Sequence, residues 1–198
     1  MKKLLLSFIA VATFFSVSQT AQAQYEKGDL LINPGISLLG YGYGFGSYGS
    51  GYTGLPGLTA SIEYNLTDNI AVGGYAGYLA RSYRYDIGGN RYTDRWTNLG
   101  FGARGIFHAS EVLNDALGTN IDSEKWDIYG GLSLGYETWS WNYDNSFGGS
   151  GRANYGNGRV FFGGVLGTRY MFSERFGVYG ELGRGALGAL TLGVTLKL

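Results

Sequence analysis

Apolar and polar residues alternate strictly at the C-terminus of the chain, where residues 189–198 read ALTLGVTLKL. Leucine and valine occupy one set of positions, whereas alanine, threonine, glycine and lysine occupy the other. Successive side chains of an extended strand point to opposite sides, so a period of two residues predicts a β-strand with one apolar face.

Seven further segments carry the same alternation, although Pro34 interrupts the first of them. These segments are residues 29–39, 57–66, 70–84, 98–108, 125–138, 159–172 and 176–183. No long amphipathic helix is predicted between them. An even number of strands, each of about 9 to 14 residues, indicates a closed antiparallel barrel.

Alternation alone leaves the direction of the apolar face open. A soluble lipocalin-like barrel turns that face to its lumen, whereas a membrane barrel turns it to lipid. The polar positions mostly carry glycine, serine and threonine, and only 15% of the chain is charged. A water-exposed exterior would carry about 25–35% charged residues. We therefore predict an all-β, eight-stranded antiparallel up-and-down transmembrane β-barrel.

Aromatic residues near the strand ends agree with that orientation, because tyrosine and tryptophan favour the membrane–water interfaces. The predicted aromatic girdle consists of Tyr64, Tyr78, Trp96, Trp126, Tyr136, Tyr170 and Phe172.

The connections between the predicted strands alternate in length. Residues 67–69 and 173–175 form short turns, whereas residues 41–57, 85–95 and 143–158 are predicted long loops. Short periplasmic turns and long external loops are typical of outer-membrane barrels. The exception is the connection 109–124, a long periplasmic segment in which a short helix capped by Ser110 is predicted.

The N-terminus has the pattern of a secretory signal peptide. Lys2 and Lys3 precede the apolar residues 4–17, and Ala21-Gln22-Ala23 fits a cleavage site. We expect residues 1–23 to be removed and residues 24–198 to form one domain in the outer membrane of a Gram-negative cell.

The remaining composition argues against several classes of site. The chain has 15 basic and 15 acidic residues, and no basic stripe indicates a nucleic-acid partner. It has no cysteine and one histidine, so no metal or cofactor site is predicted.

A lipid-facing apolar surface places isolated charges on the inside of the barrel. Buried charges are stable only when they are paired and hydrogen-bonded. We predict a lumen charge network that plugs the barrel, formed by Glu63, Arg81, Arg104, Glu137, Arg169 and Glu181. Asp127 and Lys197 lie on the same face but are expected near the ends, in water.

Two other functions remain as alternatives. One is a small-solute channel of the porin type. The other is a lipid A-modifying enzyme, because His108-Ala109-Ser110 matches the His-x-Ser spacing of one group of such barrels. The predicted topology places His108 at the periplasmic end, away from the outer leaflet, so no enzymatic activity is expected.

The stretches KWDIYGGLSLGYE, RYMFSERFGVYGELG and LTLGVTLKL resemble the small outer-membrane β-barrel (porin-like) proteins of Bacteroidetes. More distantly, the chain resembles the OmpA transmembrane domain and the OmpX-type barrels. The resemblance implies contact with membrane lipid and lipopolysaccharide, and recognition of the last strand by the outer-membrane assembly machinery. We expect a non-enzymatic, rigid scaffold whose external loops mediate surface interaction or adhesion.

Overall fold

The computed structural model describes residues 25–38, 52–54, 56–87, 90–143, 153–184 and 187–198. The predicted signal peptide and most of the predicted loop 41–57 lie outside these residues, as does the centre of the predicted loop 143–158. In the described part of the chain, no helix has the length and apolar character needed to cross a membrane.

The described residues form nine strands and one helix. In chain order these are β1 (Leu30–Ser37), β2 (Tyr52–Gly54), β3 (Gly57–Asn65), β4 (Ile70–Ile87), β5 (Asn90–His108), α1 (Ser110–Leu117), β6 (Trp126–Tyr143), β7 (Ala153–Met171), β8 (Phe176–Gly183) and β9 (Leu190–Lys197). All strands except β2 close into one antiparallel barrel, in which each strand pairs with its sequence neighbour and β9 pairs with β1. The predicted eight-stranded antiparallel barrel is confirmed.

Alternation along each strand separates an apolar outer surface from an interior that holds the buried charged residues. In β3, for example, Leu58 and Ile62 are 54% and 47% exposed, whereas Ser61 and Glu63 between and beside them are buried. Closure gives each barrel strand a hydrogen-bonded neighbour on both sides, and a closed sheet leaves no open edge in an apolar environment. The fold therefore has the inside-out polarity that the sequence pattern predicts.

The two ends of the barrel differ. One end, called the turn end here, carries the connections 66–69, 109–125 and 172–175 together with Tyr25 and Leu198. The opposite end is called the loop end. Strands β4 to β7 are 18–19 residues long and extend farther at this end than the other barrel strands, which have 8 or 9 residues. Their outer parts continue past the apolar surface as a projecting sheet, formed by residues 81–87, 90–97, 138–143 and 153–159.

The predicted loop 85–95 is wrong, because residues 85–87 and 90–95 belong to paired strands of the projecting sheet. Tyr85 pairs with Tyr92, and Ile87 pairs with Asn90. The intervening Gly88-Gly89 is a two-residue hairpin signal, and strand-forming residues flank it on both sides. Residues 153–158 of the predicted loop 143–158 likewise belong to β7.

The predicted short helix after the fourth barrel strand is present as α1. Its N-cap residue is Ala109, which has no side-chain cap, and it ends at Gly118 in the left-handed conformation. The predicted capping role of Ser110 is wrong, because the Ser110 hydroxyl instead donates to the carbonyl oxygen of Trp126 at 2.9 Å.

Candidate functional site: the charged lumen

Four charged side chains meet inside the barrel, toward its turn end. Arg104 Nε lies 3.5 Å from Glu63 Oε1, and Arg104 Nη2 lies 2.5 Å from Glu181 Oε1. Arg169 Nη2 lies 3.1 Å from Glu63 Oε2. Each belongs to a different strand, and all four are buried, so antiparallel pairing brings together residues that are distant in sequence. These four, called the inner cluster, are among the six residues predicted for the lumen network.

Asp127 extends the inner cluster toward the turn end. Its Oδ2 atom lies 3.2 Å from Arg169 Nη1 and 3.0 Å from His108 Nδ1. The prediction that Asp127 lies in water is wrong, since it is only 3% exposed. It is the second residue of β6 and stands directly opposite Arg169 in the register, so its side chain points into the lumen.

Lys197 lies at the rim of the turn end. Its Nζ atom is 2.7 Å from Asp29 Oδ2, and both side chains are 17% exposed. Lys197 is thus a partly exposed rim residue rather than part of the inner cluster. Its partner, Asp29, precedes β1 and carries no strand pattern that would have identified it.

Two tyrosines enclose the guanidinium group of Arg169. The ring of Tyr129 lies 4.7 Å from the guanidinium carbon, and the Tyr129 hydroxyl donates to Glu181 at 3.1 Å. Tyr25 covers the cluster at the turn end, where its hydroxyl accepts a hydrogen bond from Arg169 at 3.2 Å. Burial raises the pKa of the Tyr25 phenol well above the ordinary tyrosine value.

Small polar residues connect to the inner cluster through hydrogen bonds. Asn33 donates to Ser61 at 3.1 Å, and Ser61 donates to Glu63 at 3.2 Å. Thr195 donates to Asn33 at 2.9 Å, so the hydrogen bonds reach across β1, β3 and β9. At Gly167 a β-carbon would strike the ring of Tyr129, which explains why this inward position carries no side chain.

A second group of charges, the outer cluster, lies nearer the loop end. Glu137 Oε1 is 2.6 Å from Arg159 Nη2 and also accepts a hydrogen bond from Arg184. Glu137 is buried, whereas Arg159 is 55% exposed. The two arginines were not predicted; Arg159 follows the alternation of β7, whereas Arg184 lies just beyond β8. Arg81, the remaining predicted residue, lies opposite Trp96 toward the loop end.

Apolar side chains also fill the lumen. Tyr75, Leu79, Phe161 and Leu187 form a buried cluster, and Trp96 packs against it. The guanidinium carbon of Arg184 lies 4.3 Å from the ring centre of Phe161, which joins this apolar cluster to the outer cluster. The described side chains that fill the lumen therefore include apolar as well as charged groups.

Most of the predicted aromatic girdle lies on the outward face. The side chains of Tyr64, Tyr78, Trp126, Tyr136 and Phe172 are 40–50% exposed. At the turn end, Tyr170 joins Trp126 and Phe172 through ring contacts of 4.8 and 5.2 Å. Trp96 does not belong to the girdle, because it shares the inward positions of β5 with Arg104 and packs in the lumen.

In the described residues, no group of three or more His, Cys, Asp or Glu side chains has an arrangement that could hold a metal ion. The described charged and aromatic side chains of the lumen form ion pairs, hydrogen bonds and ring contacts. Such an arrangement can close the barrel and stabilise it.

The chain matches no protein-family model and no curated protein. Among solved structures, it is similar to Ail of Yersinia pestis in complex with the heparin analogue sucrose octasulfate, with 13% identity, a TM-score of 0.50, and coverage of 86% of this chain and 95% of that one. It is also similar to the N-terminal β-barrel domain of OprF from Pseudomonas aeruginosa, with 15% identity, a TM-score of 0.42, and coverage of 87% and 98%. A third similar structure is the outer membrane protein OprG from Pseudomonas aeruginosa, with 12% identity, a TM-score of 0.47, and coverage of 89% and 98%.

The similarity to Ail shows a shared fold, that of an eight-stranded outer-membrane β-barrel. At this level of identity the similarity shows the fold alone. The predicted membership of a Bacteroidetes family stays a prediction.

Proposed function

We propose that this chain is a non-enzymatic integral protein of the Gram-negative outer membrane, exported through the signal peptide at residues 1–23. The observation that carries the proposal is the inside-out surface: large apolar side chains are exposed on the outside of the barrel, and ion pairs are buried inside it. In water such a surface would aggregate, whereas lipid covers it. The turn end then faces the periplasm and the loop end faces the exterior.

Membrane insertion is tested by expressing the mature chain, residues 24–198, with and without detergent. We expect a folded protein only in detergent or lipid, with different mobility of boiled and unboiled samples on SDS gels. A mature chain that is folded and monomeric in plain buffer would contradict the proposal.

The lumen network acts as a plug. Arg169 and Glu63 are fully buried, and the apolar cluster around Phe161 and the outer cluster lie side by side between the inner cluster and the loop end. A dissolved ion crossing the barrel would have to separate pairs that are buried in a medium of low dielectric constant, which is costly. We therefore expect no stable porin-sized conductance in planar bilayers. A large, continuous conductance would favour the alternative function, a small-solute channel.

The projecting sheet is the proposed platform for surface interaction or adhesion. Its strands rise from one side of the barrel wall, so in the proposed orientation the rigid barrel holds the sheet outside the membrane. We expect the predicted loop 41–57 and the centre of the predicted loop 143–158 at the same end of the barrel. Ail is a protein with a bound heparin analogue, and a sulfated or otherwise anionic surface partner is one candidate for this chain.

The adhesion proposal is tested by shortening the β4–β5 hairpin. Residues 82–95 are replaced by Asn-Gly, a two-residue turn that suits antiparallel strands. We expect cells that display the shortened protein to lose binding to a heparin-coated surface, while the heat-dependent gel shift persists. Unchanged binding would contradict a role for this hairpin.

We also propose that the chain does not modify lipid A. His108 Nδ1 contacts Asp127, and the Ser110 hydroxyl donates its hydrogen bond to the Trp126 carbonyl rather than to His108. We expect a His108→Ala variant to leave the mass spectrum of cellular lipid A unchanged. A change in acylation would support the enzymatic alternative.

Recognition of β9 by the outer-membrane assembly machinery is part of the same proposal. β9 closes the barrel against β1, so the barrel is complete only when this strand has been inserted. We expect removal of residues 190–198 to leave the chain in the periplasm, as measured by membrane fractionation.

A further inference from the structure

Two arginines lie on the outward face of the projecting sheet, beyond the apolar surface. Arg84 follows Tyr78 by six residues along β4, and Arg95 precedes Leu99 by four residues along β5, so each shares its face with an apolar residue of the barrel wall. Both arginine side chains are exposed. Within the described part of the chain, neither takes part in an ion pair or side-chain hydrogen bond.

The register places the two arginines close together. Arg95 pairs with Ser82, and Arg84 pairs with Thr93, so Arg84 and Arg95 are diagonal neighbours on one face of the sheet. Such neighbours are about 7–8 Å apart, within reach of long side chains. Two guanidinium groups at this spacing can bind the oxygens of one phosphate group.

The height of the pair above the membrane follows from strand geometry. A strand rises about 3.4 Å per residue, and barrel strands tilt by about 35–45°. Arg95 therefore stands about 10 Å above Leu99, and Arg84 about 15 Å above Tyr78. The interfacial layer of one leaflet is about 5–7 Å thick, and arginine side chains bend toward it. Both guanidinium groups can thus reach phosphate-bearing groups of the outer leaflet.

The surface between the apolar belt and the arginines is polar but uncharged. Ser82 lies below Arg84, and Thr97 and Ser140 share a hydrogen bond of 2.7 Å below Arg95. Asp86 lies on the same face, two residues beyond Arg84 and farther from the membrane, where it pairs in the register with Arg91. Among the described outward positions of β4 to β7 between the belt and the arginines, none carries a carboxylate that would repel an anion.

We propose that Arg84 and Arg95 bind the phosphate of an anionic lipid in the outer leaflet, whose acyl chains lie against the apolar barrel wall below. The inference rests on the proposed membrane orientation, in which the loop end faces outward. It adds a lipid-binding site to a projecting sheet whose other surfaces stay available for an extracellular partner.

The experiment compares lipid binding by three purified, detergent-solubilised proteins. These are the full mature chain, the double variant Arg84→Gln/Arg95→Gln, and the control Lys125→Gln/Arg175→Gln. The control also removes two positive charges, but from the turn end, where Lys125 is 45% exposed and Arg175 is exposed. The probes are bis-phosphorylated lipid A, the same lipid after removal of both phosphates, and inorganic phosphate.

Each arginine near a charged membrane contributes about 1 kcal/mol, so the pair should give the phosphorylated lipid an advantage of about 30-fold. We expect this preference in the mature chain and in the control, and its loss in the Arg84→Gln/Arg95→Gln variant. An unchanged preference in that variant overturns the proposal. Displacement of the lipid by low millimolar inorganic phosphate also overturns it, because the site would then bind free anions.

The heat-dependent gel shift separates this inference from the proposed function. A variant that keeps the shift but loses the phosphate preference supports the lipid site. A mature chain that shows no shift and needs no detergent contradicts the membrane proposal itself, independently of any lipid selectivity.

Discussion

Replacement of Arg169 by methionine tests whether buried ion pairs stabilise the barrel. Arg169 has no exposed surface, and it contacts Glu63, Asp127 and the Tyr25 hydroxyl. Methionine fills much of the same space without the charge. The substitution therefore leaves two buried carboxylates without their shared cation.

Removing one partner of a buried pair typically lowers the free energy of unfolding by about 3–5 kcal/mol. The structure favours the lower part of this range. Glu63 keeps Arg104 at 3.5 Å, and Asp127 keeps His108 at 3.0 Å, so neither carboxylate is left entirely without a partner. We expect a loss of about 3 kcal/mol for Arg169→Met.

Arg159→Met is the matched control, because Arg159 is also an inward position of β7. Its side chain is 55% exposed, and its partner Glu137 keeps Arg184. Exposed pairs contribute about 0–1 kcal/mol, so the loss should be below about 1 kcal/mol.

The assay is reversible urea unfolding in lipid vesicles, followed by tryptophan fluorescence, with the unboiled gel mobility as an independent check. Glu63→Gln combined with Arg169→Met completes a double-mutant cycle, and contacting residues give coupling energies of about 0.5–3 kcal/mol. Equal losses of unfolding free energy for Arg169→Met and Arg159→Met, or a coupling energy near zero, would refute the claim that the buried inner cluster stabilises the barrel.

Three further predictions concern the outer surface, the packing and the pH dependence. Leu192→Arg, which places a charge on the lipid face near the middle of β9, should lower the unfolding free energy by about 2–4 kcal/mol, whereas Thr191→Ser on the inward face should change it little in the same urea assay. Gly167→Val should displace the ring of Tyr129 and lower stability by about 1–3 kcal/mol; a wild-type urea midpoint would contradict this packing. Burial raises the pKa of the Tyr25 phenol, so the neutral phenol stabilises the folded state. This contribution to the free energy of unfolding is complete below the ordinary tyrosine pKa of about 10 and is lost as the pH rises above it. Tyr25→Phe should therefore reduce the loss of stability at alkaline pH, as measured by unfolding curves at several pH values.

Several features of this protein follow from the amino-acid sequence alone. The period of two residues identifies the barrel strands and the faces they turn outward, as in β3, where Leu58 and Ile62 are exposed and Glu63 is buried. These features are local, because the direction of a side chain depends only on whether its position along the strand is odd or even. For the same reason, parity in β5 already assigned Trp96 to the inward face with Arg104, against its predicted place in the girdle.

The partners of the buried charges depend on the tertiary structure. Arg169 reaches Glu63 across 106 positions of sequence, and Arg104 reaches Glu181 across 77. Which inward residues meet depends on strand register and on the stagger of the closed barrel, and neither leaves a local pattern. Asp127 is an example. The alternation along β6 indicates that its side chain points inward, but its burial follows only from its position opposite Arg169 in the closed barrel.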